Sequence, residues 1–110
     1  MRTFHRTRGD RKLFLQSIAH NLVIRERMVT TVARAKEIRP MVERLLSVAK
    51  QGKLSSFRRL LAILPKRSSE KLFRDLGPRY RDRRGGALRI VKQGKRRKRD
   101  GAETALIEFV

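Results

Sequence analysis

The sequence predicts an α+β fold: a layer of about four helices packed on a small three-stranded sheet, with a basic N-terminal tail and a long basic hairpin loop. Three observations predict it. Apolar residues recur at helical spacing over most of 13–76, they alternate with period two towards the end of the chain, and the stretch 27–46 changes from one period to the other in its middle. The chain has 110 residues, 39% of them hydrophobic, which suits one domain with a modest core. Only 5% are aromatic, so aliphatic side chains must fill most of that core.

The stretch 27–46, RMVTTVARAKEIRPMVERLL, carries the join between sheet and helices. Met28, Val29, Thr30 and Thr31 form a short β-prone run. Thr31 is then placed to cap a helix, its hydroxyl accepting from an N–H of the first turn. From Val32 onward Ala35, Ile38, Val42, Leu45, Leu46 and Ala49 fall on one stripe. Pro40 deletes the bond to the Lys36 carbonyl and crowds that turn. The stripe nevertheless stays in phase beyond it, which predicts one kinked helix over 32–50 rather than two. Gln51-Gly52 supplies the stop, Gly52 being suited to a left-handed C-terminal cap.

Residues 13–24 read as a helix with Phe14, Ile18 and Leu22 on one face and Leu15, Ala19 and Val23 beside it. Such a broad apolar surface predicts packing on more than one side. Asp10 is placed to cap this helix, where negative charge is favoured, and His20 reads as a structural or surface histidine. Ahead of the helix, 1–12 has no apolar period and sets Arg2, Arg6, Arg8, Arg11 and Lys12 against Asp10 alone. It reads as a tail outside the 13–110 domain, flexible when free and ordering along phosphates.

A third helix, capped by Ser55 or Ser56, contains Phe57, Leu60, Leu61 and Leu64 and is closed by Pro65. A fourth, opened by Ser68 or Ser69, turns Leu72, Phe73 and Leu76 inward and ends at Gly77-Pro78. Arg58, Arg59, Lys66, Arg67, Lys71 and Arg74 are assigned to the outer surface. Next comes the basic loop 78–86, PRYRDRRGG, in which Arg79, Arg81, Arg83 and Arg84 crowd around the single tyrosine, Tyr80. Arginine pairs bidentately with phosphate and an aromatic ring stacks on exposed bases, although core packing accounts for Tyr80 equally well. Gly85-Gly86 permits backbone geometry that other residues resist.

Leu88 and Ile90 alternate with Arg89 in 87–91, and Ala105, Ile107 and Phe109 share one face of 104–110. These runs predict an antiparallel hairpin. Its tip, 92–101 (KQGKRRKRDG), holds Lys92, Lys95, Arg96, Arg97, Lys98 and Arg99, and Asp100-Gly101 turns the chain back. An isolated hairpin is marginal in water, so the 28–31 strand is expected to join it as a third member.

Charge decides the class of partner. Thirty Lys and Arg against ten Asp and Glu leave a net charge of +20, whose self-repulsion a bound polyanion relieves. Nucleic acid is the commonest such partner. No cysteine is present, which excludes disulfides and thiolate chemistry. No apolar run approaches the roughly 20 residues a spanning helix needs, and the N-terminal stretch does not read as a signal peptide. The expectation is a soluble, cytoplasmic protein without a membrane partner.

No catalytic, metal-binding or cofactor-binding constellation assembles. His5 and His20 have no metal-spaced partners, and Gly85-Gly86 precedes a strand rather than the helix a phosphate cradle requires. Glu37 and Glu43 lie among Arg34, Lys36, Arg39 and Arg44, as helix-surface ion pairs do. The chain is therefore read as a non-enzyme with no cofactor and no small-molecule substrate. A DNA-binding or nucleoid architectural protein is the alternative, but no helix-turn-helix, zinc finger or basic zipper is evident.

Several runs, in order, resemble the bacterial large-subunit ribosomal protein family numbered seventeen. Residues 25–31, RERMVTT, are similar to that family's HERI-x-TT, and 35–40, AKEIRP, to its AKELRP. Leu72-Phe73, Gly77-Pro78-Arg79-Tyr80, Arg84-Gly85-Gly86 and Arg89-Ile90 follow its LF…PRY…R-x-GGYTRI pattern, and 104–110, TALIEFV, resembles its closing MAIIELV. There are departures. The family's usual leading MRHxxxGRKL-type segment has no counterpart here; Arg6-Thr7 and Arg11-Lys12 look like its second basic stretch. Ala87 stands where a Tyr is customary.

The resemblance implies an α+β structural protein of the large ribosomal subunit. It would be bound to large-subunit ribosomal RNA near the polypeptide exit region, among neighbouring ribosomal proteins. Together with the charge pattern it nominates RNA contacts in three places. These are the tail (Arg2, Arg6, Arg8, Arg11, Lys12), the strand–helix joint (Thr30, Thr31, Arg34, Lys36, Arg39), and the loop and tip (Arg79, Tyr80, Arg81, Arg83, Arg84, Lys92, Lys95, Arg96, Arg97, Lys98, Arg99).

Overall fold

The chain folds in the order α1 (Arg8–Arg25), β1 (Arg27–Thr31), α2 (Val32–Lys50), α3 (Leu54–Ile63), α4 (Lys66–Lys71), β2 (Leu88–Arg96) and β3 (Glu103–Phe109) in a computed structural model that describes residues 8–110. α4 runs on through a π-helical turn, Leu72–Leu76, into a last turn, Gly77–Arg79. The architecture is the α+β one expected: helices packed on a three-stranded antiparallel sheet, with strand order β1-β3-β2.

The joint at Thr31 forms as its residues predict. The Thr31 hydroxyl accepts from the Arg34 N–H at 3.2 Å, and α2 follows as one helix with Pro40 inside it. Its stripe of Ala35, Ile38, Val42, Leu45, Leu46 and Ala49 is buried throughout. The Gly52 N–H bonds to the Ala49 carbonyl at 3.2 Å with φ at 68°, the left-handed stop that glycine favours. These residues meet Leu22 and Val23 from α1, Leu60 from α3, Leu72 and Leu76 from the π-turn, and Leu88 and Ile107 from the sheet in one continuous core.

β3 is the central strand. Met28, Ile107 and Ile90 face one another across the sheet, as do Arg27, Glu108 and Arg89 one residue along. Side chains alternate across a strand, so the first row lies on the helical layer and the second on the opposite face. Glu108 there accepts the Arg89 Nε–H at 2.6 Å and lies 3.9 Å from the Arg27 Nε. A cross-strand charge row of this kind holds register, because a one-residue slip would bury the arginines.

Several local expectations are corrected. α1 begins at Arg8, so residues 8–12 are helical and Asp10 sits within the first turn rather than before it. Ser55 and Ser56 do not cap α3. The helix starts at Leu54 after Lys53, and the Ser56 hydroxyl is buried against the Gln51 side chain at 3.0 Å. Nor do Ser68 and Ser69 open α4, which starts after Pro65. Their hydroxyls reach back to the Pro65 and Leu64 carbonyls, at 3.1 and 3.2 Å, the first at the N-cap of α4 and the second at the C-cap of α3.

Gly77-Pro78 does not end a helix either. The π-turn ahead of it pairs the Gly77 N–H with the Leu72 carbonyl, five residues back, and the chain continues helically to Arg79. Finally, β2 is longer than expected. It runs to Arg96, taking half of the basic tip into the sheet, with an irregularity in register between Lys92 and Arg96. Gly94 lies in that irregularity with φ at 70°, a bulge geometry that sharpens the twist of the hairpin.

Candidate nucleic-acid interface

Arginine and lysine contact phosphate only if their charges are exposed and not already neutralised by carboxylates. The structure sorts the nominated residues by that test. Every residue over 91–100 is exposed, and the β2–β3 hairpin carries them outward from a body of 45 × 30 × 21 Å overall extent. Arg97 is held by Asp100, and Arg96 by Glu103 at 3.3 Å and the Gly101 carbonyl at 3.0 Å. These pairs brace the turn. Asp100 also accepts the Ala102 N–H at 3.1 Å, and its bond from the Arg97 guanidinium holds its carboxyl below the usual aspartate range. The side chains of Lys92, Lys95, Lys98 and Arg99 have no such partner among the described residues. The tip is thus a stiffened turn carrying unneutralised cations.

The loop after Gly77–Arg79 divides differently. Arg81, Arg83 and Arg84 are exposed. The Arg83 carbonyl accepts from the Lys50 ammonium, which ties the loop to the end of α2. Arg79 instead faces two carboxylates: Glu26, and Asp75 with both oxygens 3.0 Å away. Tyr80 is 5% exposed; its ring packs 6.0 Å from that of Phe109 and its hydroxyl donates to the Val110 carbonyl. Of the two roles the sequence left open for Tyr80, core packing is the one in this structure, and the ring has no face available for a base.

At the strand–helix joint, Lys36 is exposed, whereas Thr31 is buried and committed to its cap. Arg34 lies over the Phe14 ring at 5.0 Å, and Arg39 is 3.9 Å from Glu43. In α1, Lys12 is exposed, while the Arg11 Nε is buried without a hydrogen-bond partner among the described residues. Arg2 and Arg6 lie outside the described residues, as does the Arg8 side chain.

Two cations change their assigned place. Lys71, expected on the outer surface, is partly buried, donating to the Ile24 carbonyl at 2.7 Å and pairing with Glu26 at 3.1 Å. His20 is structural. The His20 Nδ1 shares a hydrogen bond of 2.8 Å with the Ser68 hydroxyl, which joins α1 to α4. Conversely, Arg44, grouped by the sequence with the helix-surface ion pairs, has no carboxylate partner among the described residues, Glu43 lying instead near Arg39. Arg44 is exposed, two helical turns beyond Lys36. The signal was the i, i+4, i+8 series 36, 40, 44.

Among the described residues no group of three or more His, Cys, Asp or Glu is placed to hold a metal, and no helix is long and apolar enough to cross a membrane. The geometry is that of a rigid body with cationic projections.

Comparison with known proteins shows the family. Residues 14–110 match the family model described as ribosomal protein L17. The chain is 44% identical over 108 residues to a large ribosomal subunit protein bL17 from Hydrogenobaculum sp. (strain Y04AAS1), covering 97% of this chain and 92% of the relative. Identity is 43% over 111 residues to the bL17 protein of Exiguobacterium sp. (strain ATCC BAA-1283 / AT1b), covering 96% and 94%. It is 40% over 120 residues to that of Staphylococcus carnosus (strain TM300), covering 99% and 98%. These relatives are ribosomal proteins and not enzymes, and the chain belongs to the ribosomal protein L17 family.

Proposed function

We propose that this chain is a structural constituent of the large ribosomal subunit, in the cytoplasmic ribosome, and that it braces large-subunit ribosomal RNA without a chemical step. The supporting observation is the hairpin tip, where Lys92, Lys95, Lys98 and Arg99 project from a braced turn with no carboxylate among the described residues to neutralise them. Arg81, Arg83, Arg84, Arg34, Lys36 and Lys12 extend the cationic surface. Arg2 and Arg6, ahead of α1, and Arg8 at its start add phosphate contacts, and Arg79, Thr31 and Tyr80 serve the fold. Most contacts fall on phosphate and sugar, so RNA shape rather than base sequence selects the site. The family resemblance favours a position near the polypeptide exit region, beside other large-subunit proteins.

The test is the salt dependence of binding to large-subunit RNA. With about 6–10 phosphates neutralised, affinity is expected to fall by about 10³–10⁵ between 50 and 200 mM salt, scaling from duplex behaviour. A shallow response would overturn the electrostatic brace. Co-sedimentation with large subunits, abolished by ribonuclease, is the matching expectation in extracts.

A further inference from the structure

The face of the sheet turned away from the helices carries an apolar row that no described helix covers. Val29 of β1 pairs with Leu106 of β3, and Leu106 pairs with Val91 of β2, so three aliphatic side chains stand in line across the three strands. Val29 is 56% and Val91 46% exposed, and Leu106 lies half-buried between them. Beside this row run Arg27, Glu108 and Arg89, in which two exposed guanidiniums share one largely buried carboxylate. One positive charge is therefore left over next to the apolar row.

These features select the occupant. RNA offers phosphates and riboses, which gain nothing from aliphatic side chains, and none of the described residues on this face is an aromatic ring for a base to stack on. A second copy of the chain would set +20 against +20. The patch is also small: Arg27, Arg89 and the apolar row fall short of the roughly 800 Å² per partner of a standard interface. The partner is therefore a segment held in place elsewhere, so that a weak contact forms at high effective concentration. With strands about 4.8 Å apart the row is about 10 Å long, the span of about three or four residues of extended chain. Such a segment turns alternate side chains to the row, and a carboxylate beside them meets the spare positive charge.

We propose that this face docks a short extended segment of a neighbouring protein in the same RNA assembly, with aliphatic residues at alternate positions and an Asp or Glu beside them. The segment lies across Val29, Leu106 and Val91. Its carboxylate takes the Arg27 guanidinium, the more loosely held of the two, at 3.9 Å from Glu108 against 2.5 Å for Arg89. The proposal rests on the ribosomal reading above and gives the chain a protein-binding face opposite its helical layer.

The experiment places a photoreactive benzophenone side chain at Val29 in one full chain, at Val91 in a second and at Lys98 in a third, all exposed positions. Each chain is assembled into large subunits and irradiated, and its adducts are identified by ribonuclease and protease digestion with mass spectrometry. The probes at 29 and 91 are expected to link to one peptide of another large-subunit protein, holding alternating aliphatic residues and a carboxylate, and the probe at 98 to RNA. RNA adducts, dimers of this chain or no adduct at both 29 and 91 would overturn the docking face and leave the brace standing. With the probe at 91, Val29→Gln is expected to lower the protein adduct about tenfold and Val29→Ile to leave it unchanged. Equal yields from the two would also overturn the docking face. Failure of the native chain to enter large subunits would overturn the ribosomal reading itself.

Discussion

Glu26 and Arg79, 53 residues apart, meet in an ion pair that locks the end of the helical layer to the start of the sheet. Glu26 is the turn residue between α1 and β1, held at φ 65°, a left-handed conformation that an L-residue adopts at some strain. Its carbonyl accepts the Phe109 N–H at 3.0 Å, and its carboxylate takes Lys71 at 3.1 Å as well as Arg79. One residue, through its carboxylate and its backbone carbonyl, thereby joins α1, α4, the last helical turn and β3.

The Arg79 hydrogen bond, reinforced by Lys71 and opposed by burial, holds the Glu26 carboxyl below its ordinary value of 4.5, while the Arg79 guanidinium is raised chiefly by the same bond. A depressed carboxylate means that the unfolded chain binds more protons. The pair's stabilisation is therefore full above the ordinary value and is lost as pH falls through the folded one. The side chains are 35% and 41% exposed, so solvent screens them, and Glu26→Gln is expected to cost about 0.5–1 kcal/mol. Denaturant melts of both proteins at pH 7 and pH 3 check this, with the difference expected to be smaller at the lower pH. A difference of equal size at both values would refute the ionic account.

Gly77 packs where α2 crosses the last helical turn. A Cβ placed there would lie 3.0 Å from both the Ala49 and Leu72 carbonyl oxygens, atoms of two helical backbones that have little room to move. Gly77→Ala is expected to destabilise the fold by about 1–3 kcal/mol, the range for overpacking a well-filled core. An unchanged thermal midpoint would show that the crossing is looser than these distances imply.

Tyr80→Phe separates the structural from the recognition role of that ring. Losing the hydroxyl bond to the Val110 carbonyl is expected to cost about 1 kcal/mol in stability. RNA affinity at fixed salt should stay as it was, because the ring is buried. A variant of full stability that binds RNA weakly would restore Tyr80 to the interface.

Replacing Lys95, Lys98 and Arg99 with Gln removes three exposed tip cations that have no carboxylate partner among the described residues. The slope of log affinity against log salt is expected to fall by about three, roughly one for each lost phosphate contact. Stability should not fall, since self-repulsion is reduced. A native slope in the triple variant would place the RNA elsewhere on the surface.

How much of this was legible in the sequence depends on the range of the forces involved. By itself the sequence determined the period change at Thr31, the apolar stripe of α2 and its continuation past Pro40, and the alternation of β3, because each follows from near-neighbour spacing along one backbone. It also determined the excess of positive charge, and hence the class of partner. Only the tertiary structure decided which cations remain available. Arg79, Lys71 and Arg81 look alike in a basic sequence, yet two of them are claimed by Glu26, and that contact forms through folding across 45 and 53 residues. The same holds for Ser68 and Ser69, whose hydroxyls turn back to the Pro65 and Leu64 carbonyls at the α3–α4 junction instead of capping N–H groups of their own helix. Local spacing sets the elements. Which polar groups stay exposed is settled by long-range packing, because a buried donor or acceptor must find its partner wherever the fold brings one within reach.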